Sequence, residues 1–442
     1  MSDAQRMNIS VIRERAVLAA VLLPGAARAP DDPLAELRSL AETAGAVVID
    51  QVLQPRNRPV AKTYIGRGKL EELAERVHAA DGDVVVFDNE LSPAQIRNIE
   101  EVVECKVLDR SELILDIFAS RARSHEAKLQ VELAQLEYTY PRLRAMWSHL
   151  ERIVGGAPAG IGTRGPGEQQ LEIDRRIVQS RKAELRREIS RVQDRKRREI
   201  ARRSTDFFTV GIVGYTNAGK STLFNTLTDG QAYADDKLFA TLDTRTRRWS
   251  LGGGDEVMLS DTVGFIRDLP HHLVASFRAT LEESVHADLL LIVIDATDPA
   301  AEQHLDTVHD VLESIDTDDQ PRILLLNKID ELEDNTDLLI WQSSRPTSVP
   351  ISARRGLGLD RLVESARTHM RGESSRVTLR VPLRDGKALS FLESRATVHD
   401  RQYDTTHVDM AITIGQRQLD QLRATGCRFE VLGETTPKAE DR

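Results

Sequence analysis

Phe208-Thr-Val-Gly-Ile-Val-Gly214-Tyr-Thr-Asn-Ala-Gly-Lys-Ser221 is an apolar run closed by a glycine, and Thr222-Leu-Phe-Asn225 carries it on with helix-forming residues. The spacing Gly214, four residues, Gly219-Lys220-Ser221 sits where it needs to be, between a buried strand and a helix N-terminus. A glycine-rich backbone there can wrap phosphates with its N–H groups, Lys220 can bridge β and γ oxygens, and the Ser221 hydroxyl can reach Mg²⁺. Gly214, Tyr215, Thr216, Asn217, Ala218, Gly219, Lys220 and Ser221 are therefore the candidate phosphate-binding residues.

Downstream, three further elements follow in the order that a guanine-nucleotide switch needs. The polar segment Phe239-Ala240-Thr241-Leu242-Asp243 offers Thr241, whose hydroxyl can complete the Mg²⁺ shell only while a γ-phosphate is present. Asp261-Thr262-Val263-Gly264 follows the strand-like Glu256–Ser260. Asp261 can hold the Mg²⁺ shell through water, and the Gly264 amide can sense the γ-phosphate. Lys220, Thr241 and Gly264 form the candidate catalytic set.

Base identity is assigned to Asn327-Lys328-Ile329-Asp330, directly after the apolar Ile323–Leu326. A carboxylate at Asp330 can accept from guanine N1–H and the exocyclic amine, donors that adenine does not present together. Asn327 would bond the ring edge and Lys328 would lay its stem along the base. Ser352 and Ala353, with Arg354 beside them, would donate backbone N–H to the guanine oxygen. GTP and GDP are the expected ligands and Mg²⁺ the expected cofactor. The residue after Gly264 is Phe265, which cannot orient an attacking water as a glutamine does in many switch GTPases. His271 and His272 are expected to flank a helix rather than act as bases.

The remaining chain sets the frame. It has 442 residues, a net charge of −10, 40% hydrophobic and 29% charged residues, which excludes wholesale disorder and a uniformly basic nucleic-acid binder. Cys105 and Cys427 are too few for a disulfide framework and fit a reducing compartment. Arg13 and Arg15 ahead of Ala16–Leu23 imitate a signal peptide, but the run reads as a buried first strand, so the expected location is cytoplasmic. No run approaches the ~20 apolar residues of a membrane span.

Residues 1–120 alternate strand-like runs (Val17–Leu23, Ala46–Leu53, Val84–Phe87, Val102–Leu108) with helical ones, the signature of a small parallel α/β domain. Within it, the loop Tyr64–Lys69 contains Gly-Arg-Gly-Lys and is either an anion site or a plain strand-to-helix turn. Residues 121–205 carry 20 Lys/Arg against 11 Asp/Glu. Leu129, Leu133, Leu136, Tyr140, Leu143, Trp147 and Leu150 step as one heptad seam, and Ile173, Ile177, Leu185, Ile189 and Val192 form its partner stripe. The expectation is a basic antiparallel helical hairpin with the Gly-rich residues 155–167 at its tip. Arg164, Arg186, Arg187, Arg195, Lys196, Arg197 and Arg198 are candidate RNA contacts, or else a solvated face paired locally with acids. Residues 206–372 form the GTPase domain with a mostly parallel sheet, and 373–442 a small C-terminal α/β module without chemistry of its own. The fold class is α/β.

Gly211–Ser221, Phe239–Asp243 and Asp261–Ile266, together with Gln130–Gln135, Met146–His149 and Gly160–Glu168, make the chain similar, end to end, to the HflX family of ribosome-associated P-loop GTPases. The tip motif matters most, because GTPases at large lack it. The resemblance implies a factor that binds the large ribosomal subunit and rRNA, is stimulated by ribosomes, and splits or rescues stalled ribosomes under stress; a monomer is expected. It also implies an N-terminal region that resembles a nucleotide-binding domain and binds ATP in some relatives. Asn217 resembles the K⁺ ligand of potassium-activated GTPases, though it would equally serve to stabilise the loop. A switch acting on a protein partner and an ATP-dependent RNA remodeller are the competing functions. The chain departs from relatives in the tip insert Val154–Ala159 and at Gln169.

Overall fold

The computed structural model describes residues 13–25, 32–154, 166–206, 208–228, 239, 244–267, 287–315, 320–332, 334, 336–372, 374–424 and 426–435. Three sheets organise them. The first has the order β2 (Val47–Pro55), β1 (Arg15–Leu22), β3 (Val84–Phe87), β4 (Lys106–Asp109), and all its pairs are parallel. Helices α1 (Ala35–Ala44), α2 (Arg67–Ala79) and α3 (Pro93–Val103) make the crossovers, and α4 (Arg110–Arg121) follows the last strand. β1 is the apolar run that imitates a signal peptide, and Ala16 to Val21 are fully buried in it.

One boundary differs from the sequence reading. Val102 and Val103 end helix α3 instead of opening the next strand. A capping box between Ser92 and Gln95 starts the helix, Ile99 and Val103 bury one face four residues apart, and Glu104 in the left-handed region ends it.

Helices α5 (His125–Val154) and α6 (Pro166–Asp206) form the long hairpin. The single heptad seam resolves into two faces of α5. Leu129 and Leu133, with Leu136, pack on Leu185 and Ile189 of α6. Ala127, Val131, Ala134 and Tyr138 pack instead on the core beneath the first sheet. Ile177, placed in the partner stripe by its spacing, is 60% exposed. Leu185 and Ile189 already satisfy the packing, and Arg181 to Glu132 at 2.7 Å aligns the helices beside them. The side chains at Leu143, Trp147, Leu150 and Ile173 lie outside the described residues.

The second sheet has the order β10 (Val349–Pro350), β9 (Arg322–Asn327), β8 (Leu289–Asp295), β5 (Phe208–Gly214), β7 (Asp255–Asp261), β6 (Arg245–Gly252). It is parallel except for the edge hairpin β6–β7. The central strands β5 and β8 are near-continuous runs of buried residues, as parallel strands covered on both faces must be.

The third sheet is antiparallel, in the order β12 (Thr397–Tyr403), β13 (His407–Gly415), β11 (Ser374–Pro382), β14 (Glu430–Thr435). The helix Gly386–Arg395, capped by Asp385, and strand β14 were not apparent from the sequence. No helix among the described residues is long and apolar enough to cross a membrane.

Candidate functional site

The carboxyl ends of β5, β7 and β9 bring the sequence motifs together, at the edge where parallel α/β sheets bind ligands. From β5 the chain turns through Gly214 into α7 (Lys220–Leu227). Gly219 takes φ +92, and a β-carbon there would run into the Asn327 side chain. Only glycine allows so close an approach.

Lys220 is 6% exposed and its Nζ donates to the Tyr215 carbonyl at 2.6 Å. Burial pushes its ammonium down to about 8, against the opposing attraction of Asp261. Next to it, Ser221 Oγ donates to Asp261 Oδ2 at 2.9 Å, and Asp261 is 1% exposed. Two hard oxygen donors side by side suit Mg²⁺. Thr262 is buried and donates to the Ile212 carbonyl at 2.7 Å, which locks β7 to β5. Val263 is buried in the core shared with the first sheet.

Phe265 is 2% exposed, with its ring in the core beside Leu290 and Ile292. Its backbone pairs with the phosphate loop, Phe265 N–H to Gly214 O at 3.0 Å and Thr216 N–H to Phe265 O at 2.7 Å. Asn217 is exposed and left-handed at φ +60, a conformation that Asn tolerates. Ala218 is buried.

At the base end, Asp330 sits in a 3₁₀ turn with its side chain only 5% exposed. A hydrogen bond from the Ser352 side chain, aided by the Arg355 guanidinium, holds its carboxyl below the ordinary aspartate range. Arg355 Nε lies 3.2 Å from Asp330 Oδ2 and is 67% exposed, so a ligand can displace it. Lys328, left-handed at φ +65, pairs with Asp295 at 2.6 Å, and Ile329 N–H donates to Ile351 O.

Asn327, Ser352 and Ala353 make hydrogen bonds that the sequence does not announce. Asn327 gives Nδ2 to the Ala218 carbonyl at 2.8 Å and accepts from Ala353 N–H at 2.9 Å, tying the phosphate loop to the base loop. Ser352 N–H is taken by Leu357 O at 3.0 Å. Ser352 and Ala353 thus use their amides to shape the pocket, and one hydrogen of Asn327 Nδ2 is left for a base. Arg354 follows, exposed.

Of the expected switch segment, Phe239 is described: it is left-handed at φ +55, and its ring meets Phe118 of α4 edge-on, with centroids 4.6 Å apart. Ala240, Thr241, Leu242, Asp243, Arg164, His271 and His272 lie outside the described residues, as do the side chains of Lys196, Arg197 and Arg198. Arg186 pairs with Glu137 across the hairpin, Arg187 donates to Ala183 O within its helix, and Arg195 is exposed.

Sequence reasoning missed a charged cluster between the first sheet and this site. Tyr215 donates its hydroxyl proton to Glu36 at 2.6 Å, accepts from Arg267 N–H at 2.8 Å, and stacks on His304 with centroids 3.7 Å apart. Arg110 bonds Glu36, Asp88 at 2.7 Å and the Arg267 carbonyl at 3.0 Å. Arg267 reaches Asp88 at 3.3 Å. These partners lie up to 179 residues apart, so no local pattern announces them.

In the first sheet, the Tyr64–Lys69 loop is a turn. The Gly66 amide donates to Gln54 at 2.8 Å and Lys69 pairs with Glu72 at 2.9 Å, leaving neither for an anion.

A strand–loop–helix cradle on a parallel sheet, with Asp261 and Asn327 at the carboxyl ends of β7 and β9, defines a P-loop GTPase. A family model described as "50S ribosome-binding GTPase" matches residues 209–328. Models described as "GTP-binding GTPase N-terminal" and "GTP-binding GTPase Middle Region" match 31–119 and 121–203. The GTPase HflX of Escherichia coli (strain K12) is 47% identical over 81% of this chain and 84% of its own length. That of Caldanaerobacter subterraneus subsp. tengcongensis is 42% identical over 93% of each. Among solved structures, a GTP-binding protein of Sulfolobus solfataricus in complex with GDP aligns at 26% identity over 81% of this chain and 98% of that one, with a TM-score of 0.42. The chain belongs to the HflX family of GTPases, and it is a GTP-hydrolysing enzyme.

Proposed function

We propose that this GTPase acts on the large ribosomal subunit as a cytoplasmic factor that splits or rescues stalled ribosomes under stress. The family description of residues 209–328 supports a ribosomal partner. The observation that carries the reading on this chain is α6. Arg175, Arg176, Arg187, Arg191 and Arg195 are exposed along a helix whose other side is packed by Leu185 and Ile189. Such a row can neutralise successive rRNA phosphates without reading sequence.

The site roles follow the geometry. Lys220 and the phosphate-loop amides hold the β and γ phosphates, Gly264 senses the γ-phosphate, and Asp330 selects guanine. Ser221 and Asp261, with Thr241, would hold Mg²⁺, which neutralises phosphate charge when bound. Asn217 would serve as a K⁺ ligand on this loop; equal turnover in K⁺ and Na⁺ would remove that role.

GTP turnover by the full-length protein, alone and with large ribosomal subunits at two KCl concentrations, tests the proposal. Strong stimulation that weakens with salt is expected. Guanine nucleotide binding without stimulation would overturn the ribosomal role and favour a switch that acts on a protein partner.

A further inference from the structure

We propose that the Thr216 hydroxyl is a catalytic group of GTP hydrolysis, contacting the γ-phosphate and the water that attacks it. The Phe265 ring is sequestered in the core, and its backbone N–H and C=O are committed to Gly214 and Thr216. Nothing on that side chain can hold a water, so a polar group has to come from elsewhere.

Thr216 supplies one. The residue is 6% exposed and Oγ1 is buried without a hydrogen-bond partner. Buried hydroxyls are nearly always satisfied, and an orphan in a native structure calls for a reason such as a catalytic role. Its place gives that reason. A β-carbon built on Gly264 would meet Lys220 Nζ at 2.9 Å, Thr216 Cγ2 at 2.9 Å and Thr216 Cα at 3.0 Å. Lys220, Gly264 and Thr216 therefore converge on one point, and the first two are the groups assigned to the γ-phosphate.

The Thr216 methyl faces that point. A single χ1 step exchanges methyl and hydroxyl, because both occupy staggered positions on the same β-carbon. The backbone need not move, since Thr216 N–H is fixed on Phe265 O. A cleft of about 230 Å³ lined by Thr216, Asn217, Arg267, Gln303 and His304 opens beside the loop, with room for several waters.

In the step proposed, the hydroxyl donates to a γ-oxygen and accepts from the attacking water. The water oxygen bonds to the γ-phosphorus while the bond to the β–γ bridging oxygen breaks. GDP leaves with that electron pair, and one water proton passes to a γ-oxygen to give dihydrogen phosphate. Thr216 gains and loses nothing overall.

The inference rests on the phosphate-loop reading, and the experiment separates the two. Single-turnover GTP hydrolysis, GDP affinity and affinity for GDP with aluminium fluoride are measured for the full-length wild type, Thr216→Val, Thr216→Ser, Thr216→Ala and Lys220→Ala. The expected result is a loss of tenfold or more in turnover and in aluminium fluoride complex affinity for Thr216→Val. GDP affinity stays within twofold, and Thr216→Ser is restored toward wild type. If the valine variant does not fold, the Ser and Ala variants differ by the hydroxyl alone and carry the same comparison. Wild-type turnover without the hydroxyl, or parallel loss of turnover and GDP affinity in the Ser variant, overturns the proposal. Unchanged GDP and GTP handling in Lys220→Ala would remove the phosphate-loop reading itself, and the Thr216 role with it.

Discussion

Two parallel sheets in this molecule each carry a Gly-Lys pair at the entrance to a helix, and they use it differently. Gly68-Lys69 stands at the start of α2, and Lys69 is tied to Glu72 one turn on, while Gln54 occupies the Gly66 amide. Gly219-Lys220 stands at the start of α7, and Lys220 is buried against the Tyr215 carbonyl with no acid in its own first turn. A lysine that can neutralise itself locally stays on the surface as a solvated pair worth little. Where no local acid exists and the loop buries it, the charge is strained until a polyanion arrives. The dipeptide is the same; the neighbouring side chains decide whether it is a site.

The contrast can be broken in five ways. Arg110→Ala should cost about 3–5 kcal/mol of unfolding free energy in a urea titration, the range for removing one partner of a buried ion pair. It removes a guanidinium 2.7 Å from Asp88, whose side chain is fully buried, and leaves Arg267 at 3.3 Å. A loss below about 1 kcal/mol would mean that the first sheet and the GTPase site are not joined through this cluster.

Lys220→Ala should lower GTP turnover by about 10²–10³-fold, the scale for removing one preorganised charge from a transition state. Wild-type turnover would make the two Gly-Lys pairs alike after all. Asp330→Asn should weaken GTP by about 1.5–3 kcal/mol, the range for hydrogen bonds to a charged group, and should favour xanthosine triphosphate. Equilibrium competition between the two nucleotides reads this directly.

The buried Lys220 also predicts a pH dependence. Its folded-state value of about 8 lies below the ordinary 10.5, so between those limits the unfolded chain binds more protons. Stability from this group therefore rises with pH across that window. Nucleotide binding draws the proton back onto the amine, so GDP affinity should fall about tenfold between pH 7 and 9. Lys220→Arg, always charged, should not show that slope. The smallest effect is expected for Lys69→Ala. Its i,i+3 pair with Glu72 is local to α2, so the urea midpoint should hardly move and GTP turnover should stay within twofold of wild type.

Much of the site was legible because its signals are short. Gly214 to Ser221 specify a strand end, a loop and a helix start within eight residues, and β5 and α7 form there. The hairpin was legible from Leu129, Leu133, Leu185 and Ile189, which do pack together. Ile177 was misread because its spacing matches the stripe, whereas the described packing of α6 runs through Leu185 and Ile189 and Ile177 is 60% exposed. Asn327 was legible only in part. Its type and position were clear, but its bonds to Ala218 and Ala353 depend on how closely β9 approaches the phosphate loop, which only packing sets.

By itself the sequence determined the order of strands and helices around the phosphate loop, the Asn327–Asp330 loop and the hairpin, since each is written in residues within a turn or two of one another. Tertiary structure alone decided that Glu36, Asp88 and Arg110 of the first sheet's elements close on Tyr215 and Arg267, and that Phe239 rests on Phe118. Those contacts join residues up to 179 positions apart. Their strength comes from burying paired charges and rings in a shared core, and that is a property of how the sheets meet.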